Sequence, residues 1–158
     1  MTHVQPKFRA YEVPFRTIWL RRRDAIDLRM AGSAPHAQNW TTADIVVHVA
    51  AHRLVGITMR DHKRLGLGRW LRAEAPEIPY AMDRALPSGS VRYDEAGQIA
   101  YFSIWPLLAD DAVRHDYERE GKVYLLENGA VARIRFPLMN KRGRAGVLGA
   151  AAALLATR

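Results

Sequence analysis

The segment 122-KVYLLENGAVARIRF-136 constrains the fold more than any other part of the chain, because it has the pattern of two strands joined by a tight turn. Asn128-Gly129 suits the left-handed dihedral angles of a two-residue type I′ turn, and such a turn fixes the register of both strands. The predicted cross-strand pairs are Leu125 with Ala132, Tyr124 with Arg133, Val123 with Ile134, and Lys122 with Arg135. One face of this hairpin is therefore apolar, and the other is aromatic and basic.

A second hairpin is predicted upstream, where Val91-Arg92-Tyr93 and the run 98–105 flank the turn 94–97. Pro106 ends its second strand, because proline cannot donate to a ladder. The two hairpins predict an antiparallel sheet of about four strands over residues 91–138.

The N-terminal half favours helices. Apolar residues recur at spacings of three, four and seven after Pro14, which predicts a helix over about 14–31. Caps at 41-TTAD-44 and 58-TMRD-61 predict helices over about 42–54 and 58–74. The β-branched run 45–49 means that a strand remains an alternative for the first of these segments.

Shorter helices are expected at 109–120 and at about 144–157. The expected fold is a single α+β domain, with a helical part over about 14–75, the hairpin sheet over about 91–138 and a C-terminal helix.

Composition places the chain among basic globular proteins. Lys and Arg number 24 against 16 Asp and Glu, giving a net charge of +8, and the absence of cysteine excludes disulfides, thiolate catalysis and Cys-ligated zinc. The N-terminus lacks the apolar region of a signal peptide, and no run approaches the ~20 apolar residues that span a bilayer. We therefore expect a cytoplasmic protein with no transmembrane segment.

The segment 58–73 has the features of a helix-turn-helix, with a capped first helix, a glycine turn at 66–68 and a basic second helix. In such a unit the second helix reads the major groove. The residues expected to contact nucleic acid are Arg60, Lys63, Arg64, Arg69 and Arg72, with the hairpin face of Tyr124, Arg133 and Arg135 as a second contact. The leading hypothesis is a bacterial-type DNA- or RNA-binding protein, for example a transcriptional or accessory factor, with no cofactor.

His48 and His52 are four residues apart, which on a helix would place two metal ligands on one side. A zincin also needs a glutamate directly after the first histidine, and here that residue is Val49. A surface or hydrogen-bonded pair is the favoured interpretation, with a metal site or an acid-base role as alternatives.

The stretch 39-NWTTADIVVHVAAH-52 also resembles the tryptophan-then-histidine helix of the DinB-like thiol-transferase and metal-binding proteins. The resemblance implies a helix bundle and a metal site with a later pair of histidines. This chain departs from that pattern, because the part predicted to form hairpins, after residue 75, offers only His115.

Two alternatives to nucleic-acid binding remain. Helices laid across a curved sheet would make a cup like that of nuclear-transport-factor-2-like proteins, binding a small ligand or acting as an enzyme. The aromatics that would line it are Trp40, Tyr101, Phe102, Trp105 and Tyr124. A protein-interaction or assembly subunit is the second alternative, and the basic surface and the apolar run 145–156 leave a homodimer open. No motif names a reaction, so a binding protein is favoured over an enzyme.

Overall fold

The computed structural model describes residues 8–31, 39–50, 53–79, 85–106 and 114–137. Within these ranges the chain forms one antiparallel sheet of ten strands and one helix. The strands are β1 (Phe8–Glu12), β2 (Phe15–Leu20), β3 (Ala25–Met30), β4 (Asn39–Ala50), β5 (Arg53–Arg60), β6 (Glu77–Ile78), β7 (Ser90–Asp94), β8 (Ile99–Ser103), β9 (Arg114–Leu125) and β10 (Val131–Pro137). The helix α1 (Leu67–Glu74) lies between β5 and β6.

The two ends of this sheet are brought together by the link between β1 and β2. The strand order is β2-β3-β10-β9-β4-β5-β8-β7-β1-β6, so β2 is at one end and β1 is next to the other. Only Val13 and Pro14 separate these two strands along the chain. The ring of Phe15 on β2 lies 6.2 Å from the ring of Phe102 on β8, centroid to centroid. The sheet is therefore curled into a half-barrel around an apolar core.

The predicted α+β fold with N-terminal helices and about four strands is wrong, and the helix expected over 14–31 shows why. Its apolar residues belong to β2 and β3, which are joined by the turn 21–24. Phe15 and Met30 are cross-strand partners at the open end of this hairpin. Two short strands separated by a four-residue turn can therefore imitate helical spacing in the sequence.

The helices expected over 42–54 and from residue 58 are also wrong, because β4 and β5 occupy these positions. The β-branched run 45–49 explains why the first of these segments is a strand, since such side chains pack well on a pleated surface. Helical structure begins only at Leu67, so the helix-turn-helix expected over 58–73 is not formed. The helix implied by the DinB-like resemblance is likewise a strand.

Two further predicted helices have different outcomes. Most of the segment 109–120 is extended, because β9 begins at Arg114, and residues 109–113 lie outside the described residues. The helix predicted at about 144–157 also lies outside the described residues.

The hairpin over 122–136 has most of its predicted register, although its loop differs from the predicted one. The loop has three residues rather than two: Leu126 and Ala130 close it, and Gly129 has φ 85°. A type I turn followed by a left-handed glycine is the usual three-residue hairpin loop. A bulge at Ala132 then compensates for the extra residue. Tyr124 pairs with Arg133, Val123 with Ile134 and Lys122 with Arg135 as predicted, whereas Leu125 pairs with Val131.

The helix α1 contributes to the core of the half-barrel. Leu67 and Leu71 are fully buried in the same apolar cluster as the inward side chains of the strands. Gly68 allows close packing, because a Cβ atom there would come within 2.8 Å of the Tyr93 ring. The carboxylate of Asp61 accepts the backbone amides of Leu67 and Gly68 at 2.8 and 3.0 Å and so caps the helix.

Candidate functional site

An open groove with a volume of about 690 Å³ lies between the β2–β3 turn and the face of β9 and β10 that points away from the core, called the outer face below. Five arginines border it. The lining residues are Trp19, Leu20, Arg21, Arg22, Arg23, Tyr124, Arg133 and Arg135. We call this the arginine groove.

Strand alternation places these side chains outside. Val123 on β9 and Ile134 on β10 are fully buried in the core. Successive residues of a strand point to opposite faces, so Tyr124, Arg133 and Arg135 project from the outer face. The three consecutive arginines of the β2–β3 turn are exposed and close the groove from the other side.

Aromatic rings and cations are in contact along the outer face. The guanidinium carbon of Arg133 lies 4.0 Å from the centroid of the Tyr124 ring, and that of Arg135 lies 5.6 Å from it. On the neighbouring strand β4, Trp40 pairs with Tyr124 and is 54% exposed, with the Lys122 ammonium 4.6 Å above its ring. Such contacts hold the long basic side chains in defined positions while their charges stay near solvent.

A buried carboxylate organises one side of the groove. Asp27 on β3 is fully buried, and its two oxygens accept from Arg29 at 2.7 Å and from Arg135 at 3.4 Å. A buried carboxylate next to two guanidinium groups orients both of them, since it would otherwise be an unpaired buried charge.

The other four arginines at the groove have no carboxylate partner among the residues that the structure describes. Within the described part of the chain, Arg21, Arg22, Arg23 and Arg133 form no ion pair. The groove thus combines a strong positive charge with an aromatic side chain on its floor.

The structure brings together only part of the predicted contact set. Tyr124, Arg133 and Arg135 meet in the arginine groove, whereas the five basic residues of the segment 58–73 do not line it. Arg60 ends β5, Lys63 and Arg64 lie in the following turn, and Arg69 and Arg72 lie on α1. The Arg72 guanidinium donates to Glu95 at 2.6 Å, and this hydrogen bond raises the pKa of Arg72.

His48 lies on a strand and is enclosed by hydrogen-bond partners. Its Nδ1 lies 2.7 Å from Asp116 Oδ1 on β9, and its Nε2 lies 2.6 Å from Thr58 Oγ1 on β5. His48 is 8% exposed, and its ring centroid lies 5.6 Å from that of the Tyr101 ring. Both ring nitrogens are therefore engaged within the protein, as in the hydrogen-bonded interpretation of this residue.

The helical argument for a metal pair does not apply, because His48 lies on β4 and His52 lies outside the described residues. Among the residues with described positions, no group of three or more His, Cys, Asp or Glu side chains could hold a metal ion.

The aromatics expected to line a cup do not share one cavity. Phe102 is fully buried in the core, whereas Tyr101, next to it on β8, faces the outer side with His48. Trp40 and Tyr124 also lie on the outer face. A second cavity of about 360 Å³ lies where the β1–β2 link, the end of α1 and the β9–β10 hairpin meet, and Glu12 and Glu74 are among its lining residues. None of the five predicted aromatics lines it.

Sequence reasoning missed the contribution of residues 21–23, which lay inside the helix predicted over about 14–31. The available signal was the position of three arginines between two short apolar-rich runs, 15–20 and 25–30. The second run alternates Ile26, Leu28 and Met30 with charged residues, as a strand after a hairpin turn does. Asp27 was missed as well, and an isolated acid between Ile26 and Leu28 in a short apolar run is the pattern of a buried ion pair.

No protein-family model matches this chain, and neither a curated protein nor a solved structure is significantly similar to it. Among the described residues, no helix has the length and apolar character needed to cross a bilayer.

Proposed function

We propose that this protein binds nucleic acid through the arginine groove. The observation that supports the proposal is the convergence of five arginines on one open groove with Tyr124 on its floor. Arginine presents a planar fork of donors that suits phosphate oxygens, and an aromatic ring offers a surface on which a base can stack.

The charge balance of the chain agrees with this assignment. The net charge of +8 attracts polyanions over long range, and the five arginines of the groove supply a local contact for their phosphates. Among the described residues, Asp27 is the one carboxylate that forms an ion pair with an arginine of the groove. It pairs with Arg135 and also with Arg29, which lies outside the groove. Four guanidinium groups therefore remain to neutralise phosphates.

The test is a salt titration of binding, measured by fluorescence anisotropy with a labelled oligonucleotide of about 16 nucleotides. Each phosphate neutralised releases counterions, so the apparent affinity should fall linearly on a log–log plot against salt. Absence of binding at ~50 mM salt would overturn the proposal. Binding to vesicles of phosphatidylserine and phosphatidylcholine without binding to the oligonucleotide would overturn it in favour of a membrane surface.

A pair of triple variants with equal charge change locates the contact. Changing Arg21, Arg22 and Arg23 to Ala should weaken binding and reduce the salt slope by about two for a single strand, since each lost phosphate contact removes about 0.7. The matched control changes Arg60, Lys63 and Arg64 to Ala, which removes the same charge outside the groove. If both triples weaken binding equally, the groove is not the site.

A further inference from the structure

We infer that the nucleic acid bound here is single-stranded, with its bases stacked on Trp40 and Tyr124 and its phosphates running over the arginines of β10, β3 and β2. This inference rests on the proposed function, because it names the class of nucleic acid that the same face accepts.

A continuous row of side chains across five neighbouring strands supports this inference. Trp40 on β4 pairs with Tyr124 on β9, and Tyr124 pairs with Arg133 on β10. Arg133 in turn pairs with Arg29 on β3, which pairs with Arg16 on β2. Residues directly opposite each other on antiparallel strands share a face, so all five project from the outer face. We call them the outer row.

The outer row has an aromatic end and a cationic end. Its first two members carry rings, and its last three are arginines. Trp40, at the aromatic end, is the one large apolar side chain that is exposed within the described ranges, at 54%. A tryptophan ring left in water on a sheet surface, with the Lys122 ammonium 4.6 Å from its centroid, is arranged to stack a base and hold the adjoining phosphate.

The width of the outer row argues against duplex DNA. Neighbouring strands are about 4.8 Å apart, so five strands extend over about 19 Å, whereas the major groove of B-DNA is about 12 Å wide. A sheet face of this width cannot enter the groove. The bases of an intact duplex are also stacked on each other, which leaves no base face for Trp40.

The length of the outer row determines how many nucleotides it can bind. At about 3.4 Å per stacked nucleotide, about 19 Å accommodates five or six nucleotides. Affinity for oligodeoxythymidylates should therefore rise with length up to about six nucleotides and rise only slowly beyond that.

The decisive experiment compares three ligands of equal length: oligodeoxythymidylate, the same strand with abasic sites throughout, and a duplex. Trp40→Leu removes the π surface and keeps an apolar side chain. It should weaken binding of the thymidylate strand by about fivefold to 150-fold, the range for loss of one stacked base, and leave the abasic strand unchanged. Trp40→Phe should restore most of the loss.

The outcomes separate this inference from the proposed function. If the abasic strand binds as tightly as the thymidylate strand, or the duplex binds more tightly than both, the stacking inference is overturned. The proposed function still stands in that case, provided that the variant of Arg21, Arg22 and Arg23 weakens binding. If no strand binds, the proposed function itself fails. Thermal unfolding of Trp40→Leu checks that the fold is intact, and Tyr124→Leu is a second variant on the adjacent strand.

Discussion

The Tyr93 hydroxyl donates a hydrogen bond to Asp61 Oδ2 at 2.6 Å, inside the half-barrel. The same carboxylate accepts the amides of Leu67 and Gly68. Asp61 directly follows β5, so its side chain links the end of β5 to the start of α1 and to strand β7. Two effects raise the pKa of Tyr93 well above the ordinary value for tyrosine: burial of the phenol, which is the larger, and its hydrogen bond to Asp61.

This shift predicts a loss of stability at alkaline pH. Because the folded protein holds the Tyr93 proton more tightly than the unfolded chain, the stabilisation is complete below the ordinary tyrosine pKa of about 10 and is lost as the pH rises toward the folded value. Urea unfolding between about pH 8 and pH 11 should show a falling free energy of unfolding, and Tyr93→Phe should reduce that fall. Equal pH dependence in both proteins would contradict the assignment.

Asp61→Ala should destabilise the protein by about 2 to 4 kcal/mol, because it removes the cap of α1 and leaves the buried Tyr93 hydroxyl without its acceptor. Chemical denaturation measures this change. Asp94→Ala is the matched control. Among the described residues the Asp94 carboxylate accepts the Ala96 amide in an exposed turn, and its loss should cost about 1 kcal/mol or less. Similar losses in the two variants would show that Asp61 has no special role.

Thr58→Val should cost about 1 to 3 kcal/mol, because it deprives the buried His48 ring of its partner at Nε2 while keeping the shape of the side chain. Thr42→Val, at an exposed position of β4, should change the free energy of unfolding by about 0.5 kcal/mol or less. A neutral result for Thr58→Val would mean that the hydrogen bond to His48 contributes nothing to stability.

Asp27→Asn should lower stability and raise affinity for nucleic acid at the same time. The substitution weakens the support of Arg29 and Arg135, at a cost of roughly 1 to 3 kcal/mol, and frees both charges for phosphates. Anisotropy titrations at equal salt measure the gain. Asp44→Asn removes the same charge from an exposed position of β4 and should give a smaller gain without the loss of stability. Lower affinity in Asp27→Asn would show that the carboxylate positions the arginines more than it neutralises them.

The parts of this fold that could be predicted from sequence are those determined by neighbouring residues. The face shared by Tyr124, Arg133 and Arg135 was predicted because a short loop determines which residues oppose each other. Even there the loop was one residue longer than predicted, and only the bulge at Ala132 restored the register.

The long-range pairings of the N-terminal strands could not be predicted in this way. The strand β4 pairs along its whole length with β9, far along the chain, and no local pattern reveals that partner. The contribution of residues 21–23 to the arginine groove depends on the pairing of β3 with β10, which is equally non-local. Without those partners, the spacing of apolar residues favoured helices.

The two-residue link at Val13 and Pro14 has a consequence for how the chain folds. It joins strands that belong to opposite regions of the sheet, so neither can form by zipping against the other. Ala10 pairs with Arg92, and five of the nine strand pairings in the described sheet join strands that are not consecutive in the chain. Closing such large loops costs chain entropy before any contact repays it, and folds of high contact order accordingly refold in milliseconds to seconds. Refolding should therefore be slow, with the half-barrel assembled late and cooperatively rather than strand by strand from the N-terminus.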